Sequence, residues 1–292
     1  MKPAAFDYYA PNTVDEALEL LAQLGEDAKP LAGGQSLVPM MNFRLARPAS
    51  LIDLNRIAEL DHLAAAEDGS LRIRAMTRQR SLERSAAVAR QWPLIAEAVA
   101  HIGHVQIRNR GTVGGSLSHA DPAAELPAVM VALDAELVIH SRTGQRMLSA
   151  ADFFLGHYQT AVEPSELLVE VRVPLPPART GWSFQEVSRR HGDFALAGAA
   201  GLVTLDQHGA ISRARLAFVG LGPTPIRSIA AEDSLVGQQP SDSIWGDAAA
   251  LASRDLDPDA DVHATAAYRR HLGEVLARRV LIEAAKRASA AP

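Results

Sequence analysis

The stretch PLAGGQSLVPMMNFRLARP, residues 30–48, holds two adjacent glycines followed by Gln35 and Ser36, where an ordinary turn needs one glycine. A similar segment, GTVGGSLSHADP, occurs at residues 111–122. Glycine permits positive φ and lets the backbone approach a ligand, and successive N–H groups in such a turn form a donor site for an anion. Two glycine segments of this kind favour an anion site built from two parts of the chain. Two ordinary tight turns are the alternative.

Neither segment matches a common nucleotide-binding pattern. There is no Gly-Lys-Ser/Thr for a P-loop, so hydrolysis of a nucleoside triphosphate is disfavoured. The G-x-G-x-x-G pattern of a Rossmann dinucleotide site is also missing. A diphosphate held by amide and hydroxyl donors remains, and it suits a retained dinucleotide better than a triphosphate that is cleaved.

Composition narrows the class of protein. The chain has 292 residues, 48% of them hydrophobic, which is enough for two domains or one large domain with subdomains. A net charge of −5 gives no reason to expect nucleic acid as a partner. With no cysteine, the chain cannot hold an iron–sulfur cluster through its own thiolates. The N-terminus lacks the apolar core of a signal peptide, and no apolar run is long enough to span a membrane, so we expect a cytoplasmic protein.

Local patterns predict several elements. Thr13 and Glu16 form a capping box that starts a helix, and Gly25 ends it. Each glycine pair is expected to follow a strand. Asp121 is expected to cap a helix whose first position is Pro122. After residue 176, strands followed by helices are expected.

Other polar clusters are weaker signals. Three histidines and two acids could in principle bind a metal, but their spacing matches no standard site, so no metal site and no catalytic residue are assigned. These residues are His101, His104, His119, Asp121 and Glu125. Four arginines are candidates for contact with the acidic face of a partner, although such charges are usually solvated. They are Arg44, Arg47, Arg189 and Arg190.

Three motifs resemble one known family. They are AGGQSLVPMMNFRLARPASLIDLNRI, IRNRGTVGGSLSHADPAAELPAVMVALDAEL and SRRHGDFALAG. In this order and spacing they are similar to the FAD-binding medium subunit of the molybdenum hydroxylases, the carbon monoxide dehydrogenase and xanthine dehydrogenase family. The resemblance covers nearly the whole chain.

The resemblance implies a fold of the α+β class. It places a two-subdomain FAD-binding fold of the vanillyl-alcohol oxidase type at residues 1–176, with subdomains of about 1–57 and 58–176. Residues 177–292 are then similar to the C-terminal domain of carbon monoxide dehydrogenase flavoproteins, an antiparallel sheet with a helical bundle. The proline cluster at 174–177 is the expected boundary.

The resemblance also implies the residues that contact non-covalent FAD. The first diphosphate loop comprises Ala32, Gly33, Gly34, Gln35, Ser36 and Leu37, preceded by Lys29. The second comprises Thr112, Val113, Gly114, Gly115 and Ser116. A side chain at Gly114 would then displace the phosphate while leaving most of the fold intact.

Further positions are expected near the flavin itself. His101 and Ile102 fall where the chain passes the ring, and Leu168 and Gln185 fall at two flavin-side positions. Glu125 stands where the family usually has an aspartate. Xanthine dehydrogenases carry phenylalanine at the Ile102 position and lysine at the Gln185 position. An aliphatic side chain does not stack as an aromatic one does, so the match is with the carbon monoxide dehydrogenase branch.

The implied role is electron transfer. Such a subunit works beside a small subunit with [2Fe–2S] clusters and a large molybdopterin subunit, most simply as a dimer of heterotrimers. Substrate is oxidised at molybdenum, and electrons pass through the clusters to the flavin and leave for an external acceptor. Two alternatives are a self-contained flavin oxidase or dehydrogenase of the related fold and a scaffold without flavin.

Overall fold

The computed structural model describes residues 2–290. This part of the chain contains twelve α-helices and fourteen strands arranged in four sheets. No helix in the described range is both long enough and apolar enough to cross a membrane.

The N-terminal part is a small parallel sheet of order β1-β3-β2 with one long helix. Its elements are β1 (Asp7–Tyr9), α1 (Val14–Leu24), β2 (Ala28–Leu31), α2 (Leu37–Asn42) and β3 (Ser50–Asp53). Helix α1 places Val14, Leu18 and Leu21 on one face, where all three are buried. The predicted capping box is confirmed: the Glu16 N–H donates to Thr13 Oγ1 at 3.2 Å. Since β2 and β3 are parallel, the segments that follow them meet at the same sheet edge.

The middle part is a five-stranded antiparallel sheet of order β4-β5-β10-β6-β7, covered by short helices. The strands are β4 (Leu63–Ala65), β5 (Leu71–Arg74), β6 (Glu136–Ser141), β7 (Gly144–Ser149) and β10 (Leu167–Val173), with a separate hairpin of β8 (Phe154–Gly156) and β9 (Gln159–Thr160). The helices are α3 (Gln79–Arg84), α4 (Ala86–Gln91), α5 (Pro93–Val99), α6 (Val105–Arg110), α7 (Val113–His119), α8 (Glu125–Ala132) and α9 (Ala150–Phe153). Helix α8 is buried on all sides, as its apolar sequence predicts.

Two local predictions in this part are wrong. The helix expected from Pro122 begins at Glu125, because Asp121 instead accepts from the Ala123 N–H and closes a turn. The second glycine pair does not follow a strand. It lies in the first turn of α7, directly after α6. The two glycine segments therefore differ in backbone conformation.

The C-terminal part is an antiparallel sheet of order β11-β12-β13-β14 packed against three helices, in agreement with the expected sheet and bundle. The elements are β11 (Thr180–Ser188), β12 (Ala195–Leu205), β13 (Ile211–Val219), β14 (Ile226–Arg227), α10 (Ile229–Leu235), α11 (Asp242–Ala252) and α12 (Ala266–Ala290). Small residues in β11 and β12 let α12 lie close. A Cβ on Gly181 would be 1.9 Å from the Ala284 oxygen, and one on Gly201 would be 2.9 Å from Val280 Cγ2.

Candidate functional site

The structure brings the two glycine segments into contact. A Cβ on Gly33 would lie 2.3 Å from the Arg110 carbonyl oxygen, and a Cβ on Gly115 would lie 3.3 Å from the Ala32 Cβ. Real Cβ atoms do not approach main-chain atoms as closely as 2.3 Å, so only glycine allows the first loop to cross the chain at Arg110. Segments about 80 residues apart in sequence thus form one surface.

The first segment presents unused donors. Gly34 has φ +72°, and the Gln35 amide donates to the Gly33 carbonyl at 3.0 Å, which holds the turn. Within residues 2–290, no acceptor is found for the backbone N–H groups of 33–37. Ser36 stands at the N-cap of α2, but its hydroxyl makes no capping bond. The loop therefore offers consecutive N–H groups and a hydroxyl to an anion.

The second segment uses its N–H groups internally. The donors Val113, Gly114 and Gly115 pair with the Thr77 oxygen at 3.0 Å, the Ala75 oxygen at 2.8 Å and Thr112 Oγ1 at 3.1 Å, respectively. Thr112 is thus the N-cap of α7, and Val113 is fully buried. The expectation of a second run of free amides is wrong. What this segment leaves half-exposed is Gly115 and the Ser116 side chain.

Gly114 serves packing rather than ligand approach. A Cβ there would lie 2.5 Å from the Ala75 Cβ and 2.8 Å from the Ala75 oxygen. Its φ is not positive. The expectation that a larger residue at Gly114 would leave the fold intact is therefore wrong, because such a residue would push α7 away from the chain at Ala75.

Two side chains that the sequence analysis did not identify clamp the glycine segments together. The Asn55 amide donates to the Ala32 oxygen at 2.9 Å, and Arg78 donates to the Arg110 oxygen at 2.5 Å and to Asn55 Oδ1 at 2.6 Å. Asn55 could have been found from the sequence, because it follows β3 at the sheet edge where the first loop follows β2.

Positive charge collects at this junction. No carboxylate in the described range lies within 4.0 Å of the Arg78 or Arg110 guanidinium. Burial, together with the neighbouring charge of Arg110, lowers the pKa of Arg78, while the charges of Asp61 and Asp53 partly oppose this shift. Two cations without a carboxylate partner, next to free N–H groups, favour a bound anion.

A tight turn at residues 101–104 forms the next part of the surface. The Arg108 side chain, 6% exposed, forms a two-point ion pair with Glu83 and donates to the Ile102 oxygen at 2.9 Å. The hydrogen bonds from this buried cation hold the backbone of the turn in place. His101 and Ile102, which belong to the turn, are half-exposed.

His101 lies in a cluster with two buried acids. Its Nδ1 is 3.4 Å from Glu186 Oε1, and its ring meets Phe184 edge to face at 5.3 Å. Hydrogen bonding with Glu186 raises the pKa of His101. Burial, reinforced by the negative charge of Glu186, raises the pKa of Glu125 to about 8. Glu186, which the sequence analysis did not assign, thus contacts His101, and its charge acts on both His101 and Glu125.

The structure places Gln185 on the face of β11 away from His101. Side chains of a strand alternate between faces, and Trp182 and Phe184 of β11 pack in the core shared with α5 and α8, whereas Val187 packs in the α12 core. Gln185 therefore lies on the α12 face of β11, and Glu186 lies on the face that meets His101. Leu168 is buried in the middle core and Lys29 is exposed in β2.

The SRRHGDF motif lies against the turn at 101–104. A Cβ on Gly192 would be 2.4 Å from the His104 ring, and Arg189 pairs with Asp193 at 3.3 Å. A cavity of about 550 Å³ separates this loop from Asp121, with Phe194 69% exposed at its wall. All three sequence motifs therefore lie along one continuous surface.

Comparisons with known proteins identify the family of the chain. The family described as FAD binding domain in molybdopterin dehydrogenase matches residues 4–176, and the one described as CO dehydrogenase flavoprotein C-terminal domain matches residues 182–284. The chain is 46% identical over 288 residues to 6-hydroxypseudooxynicotine dehydrogenase complex subunit alpha of Paenarthrobacter nicotinovorans, covering 99% of this chain and 97% of the relative. It is 41% identical to caffeine dehydrogenase subunit beta of Pseudomonas sp. (strain CBB1), covering 98% and 97%.

A solved structure of carbon monoxide dehydrogenase from Hydrogenophaga pseudoflava superposes with a TM-score of 0.96 at 40% identity, covering 98% of this chain and 99% of that one. Both family matches together span most of the sequence, and the relatives match it almost end to end. The chain therefore belongs to the family of FAD-binding medium subunits of molybdenum-containing dehydrogenases.

Proposed function

We propose that this chain carries FAD in the groove formed by its two glycine segments and passes electrons as the flavoprotein subunit of a molybdenum hydroxylase. The observation that supports this best is the junction of the segments. There the N–H groups of 33–37, which find no acceptor within residues 2–290, lie beside Arg78 and Arg110, and no carboxylate of the same range is within 4.0 Å of either guanidinium. This donor set fits a diphosphate with two negative charges.

The residues would act in two groups. The N–H groups of 33–37 and the hydroxyls of Ser36 and Ser116 would hold the diphosphate. His101, Ile102 and Glu125 would line the ring end, together with Glu186. FAD, when bound, supplies the redox chemistry, because it accepts electrons singly and releases them singly or in pairs. The protein's part is to hold it and to keep the glycine segments together through Asn55 and Arg78.

The partners follow from the family. We propose that electrons reach this chain from a small subunit with [2Fe–2S] clusters, that substrate oxidation takes place on a large molybdopterin subunit, and that the complex is a cytoplasmic dimer of heterotrimers. The absence of cysteine is compatible with metal centres on other chains.

The domain division is part of the proposal. We infer an FAD-binding domain at 1–176, with subdomains of about 1–57 and 58–176, and a C-terminal domain at 177–292. The three main sheets use residues from separate parts of the sequence, and the prolines at 174–177 lie between the second and third sheets. Limited proteolysis that cuts near residue 176 before other sites would support this division.

The test is purification of the complex from its native source through an affinity tag on this chain. We expect co-purifying subunits that contain iron–sulfur clusters and molybdopterin, and one FAD released per copy of this chain on denaturation. Mass determination of the intact complex tests its stoichiometry. A complex without flavin would contradict the proposal and favour the scaffold alternative.

The self-contained oxidase makes a different prediction. Under that alternative, the chain freed of all partners and loaded with FAD would oxidise the organic substrate by itself. We expect no such turnover from the separated chain, and full turnover only when the partner subunits are present.

A further inference from the structure

Three ionisable groups near the turn at 101–104 act on one another through their charges, with little charge compensation. They come from three elements: His101 follows α5, Glu125 begins α8, and Glu186 lies in β11. The two glutamates are buried: Glu125 is 7% exposed, and the side chain of Glu186 is 4% exposed.

One oxygen of this cluster has no partner. Glu186 Oε1 faces His101 Nδ1 at 3.4 Å, but Glu186 Oε2 is buried and makes no hydrogen bond within residues 2–290. A buried carboxylate oxygen without a partner is costly unless it carries or accepts a proton. The Glu186 carboxylate acts on His101 and on Glu125, and these two groups also act on each other, so proton binding at one of them depends on the charge of the other.

The surrounding charges do not neutralise the cluster. Glu97 of α5 also faces it, but Glu97 is itself paired with Arg287 of α12 at 2.6 Å and accepts from the Phe184 N–H. Asp121 adds further negative charge on the side of Glu125. His101 is thus the only basic side chain of the described range that pairs with Glu186.

We propose that Glu186, Glu125 and His101 form a proton-binding site that takes up one proton from solvent when the neighbouring flavin is reduced. The proposal rests on the FAD site proposed above. Two electrons from the partner's clusters and one proton convert the oxidised flavin to its anionic reduced form, which adds one negative charge. The cluster binds a second proton, so two electrons and two protons enter together and leave together on reoxidation.

Glu186 is a positioning residue in this scheme. Its negative charge raises the pKa of both His101 and Glu125, which brings their titration towards neutral pH. Without that charge, His101 would lose its proton more readily, and Glu125 would stay ionised to lower pH. The cluster would then have little capacity to bind a proton around pH 8.

The test compares complexes of the wild type, Glu186→Gln and Glu125→Gln. Flavin midpoint potentials are measured by spectroelectrochemistry between pH 6 and pH 9, and proton uptake on reduction is followed with an indicator dye in weak buffer. We expect the wild type to take up clearly more than one proton per flavin between pH 8 and pH 9, where Glu125 is partly or mostly ionised before reduction, and both variants to take up about one. Both variants should also have higher flavin potentials at alkaline pH, since each removes negative charge.

Glu166→Gln is the matched control. Glu166 is a mostly buried carboxylate paired with Arg146 of β7, without contact to the cluster, so its removal should leave proton uptake unchanged. If one variant fails to retain FAD, the other still decides the question. Wild-type proton uptake in a flavin-containing variant would overturn the inference but leave the FAD site intact. A wild-type complex without FAD would overturn both.

Discussion

At the scale of single residues, glycines that look equivalent in sequence have different physical tasks. Gly34 provides a positive φ, Gly33 allows two chain segments to cross, and Gly114 lets α7 pack on Ala75. Only the first of these tasks concerns backbone conformation. The other two concern distance between segments, which a motif does not report.

Gly33→Ala is expected to lower FAD occupancy of the complex at least tenfold. The added Cβ would lie 2.3 Å from the Arg110 oxygen, and since that neighbour is main chain, one segment has to move. Flavin fluorescence after denaturation measures the occupancy. Gly246→Ala is the control, because a Cβ there meets nothing within 4 Å, and its occupancy should equal the wild type.

Arg78→Met is expected to weaken FAD binding about 10- to 100-fold. The variant keeps an unbranched apolar stem but loses the guanidinium, its charge and its hydrogen bonds to Arg110 and Asn55, and a hydrogen bond to a charged group is worth about 1.5–3 kcal/mol. Titrations monitored by flavin fluorescence give the FAD dissociation constants of the variant and the wild type, and thus their ratio. Arg84→Met on the same helix removes an exposed charge, so equal weakening in both variants would argue against a specific role for Arg78.

At the scale of elements, small residues in β11 and β12 allow α12 to pack closely on the C-terminal sheet. Strand β12 has the sequence ALAGAAGLVTL and is almost entirely buried, because α12 covers it on one side and the middle part of the chain covers it on the other. Arg287 of α12 also reaches across the edge of β11 to Glu97 of α5. The helix therefore ties the sheet that carries Glu186 to the helix that precedes His101.

Gly181→Ala is expected to destabilise the chain by about 1–3 kcal/mol, the usual cost of overpacking. The added Cβ would lie 1.9 Å from the Ala284 oxygen and 2.4 Å from the Ala288 nitrogen, so α12 has to move outward. Urea unfolding of the full chain measures the loss. Gly156→Ala serves for comparison, because the nearest atom to its Cβ would be 3.6 Å away. Equal urea midpoints for the two variants would contradict the predicted packing at Gly181.

At the scale of the whole molecule, an ionic cluster joins the middle part to the C-terminal sheet. Asp134, directly after α8, pairs with Arg213, with Arg215 at 2.9 Å and with Arg227 at 2.8 Å. Burial alone would raise the pKa of Asp134, but the hydrogen bond from Arg215 and the three positive charges outweigh it and lower the pKa. A carboxylate of this kind stabilises the fold while ionised.

Asp134→Asn is expected to cost about 2 kcal/mol near pH 7, with Asn chosen because it tolerates the φ of +51° at this position. A lowered folded-state pKa gives stability that is present above the unfolded value of about 3.9 and is lost as pH falls through the folded value. The difference in the free energy of unfolding between wild type and variant should therefore shrink below about pH 4. Thermal unfolding from pH 3 to pH 7 tests this, and a difference that does not change with pH would contradict it.

Asp257→Asn provides the comparison for that series. The Asp257 side chain is 95% exposed and contacts Arg270 only at 3.7 Å. Its removal should change the unfolding temperature little at any pH, because exposed ion pairs contribute little to stability.

The sequence alone determined the class of fold, the family, the start of α1 and the loop that offers free N–H groups. These features depend on local patterns: a capping box, alternating strands, and a glycine pair followed by polar residues. The family was identified from the order and spacing of the three motifs together, because this combination is far more specific than any one motif.

Only the tertiary structure decided which residues share the site. The clamp of Asn55 and Arg78 depends on two segments crossing, and the packing role of Gly114 depends on Ala75, which is far from it in sequence. The contact of Glu186, and not Gln185, with His101 depends on which face of β11 meets α5, and a shift of one residue exchanges the faces of a strand. Such contacts are set by the packing of distant elements, so local sequence patterns do not contain them.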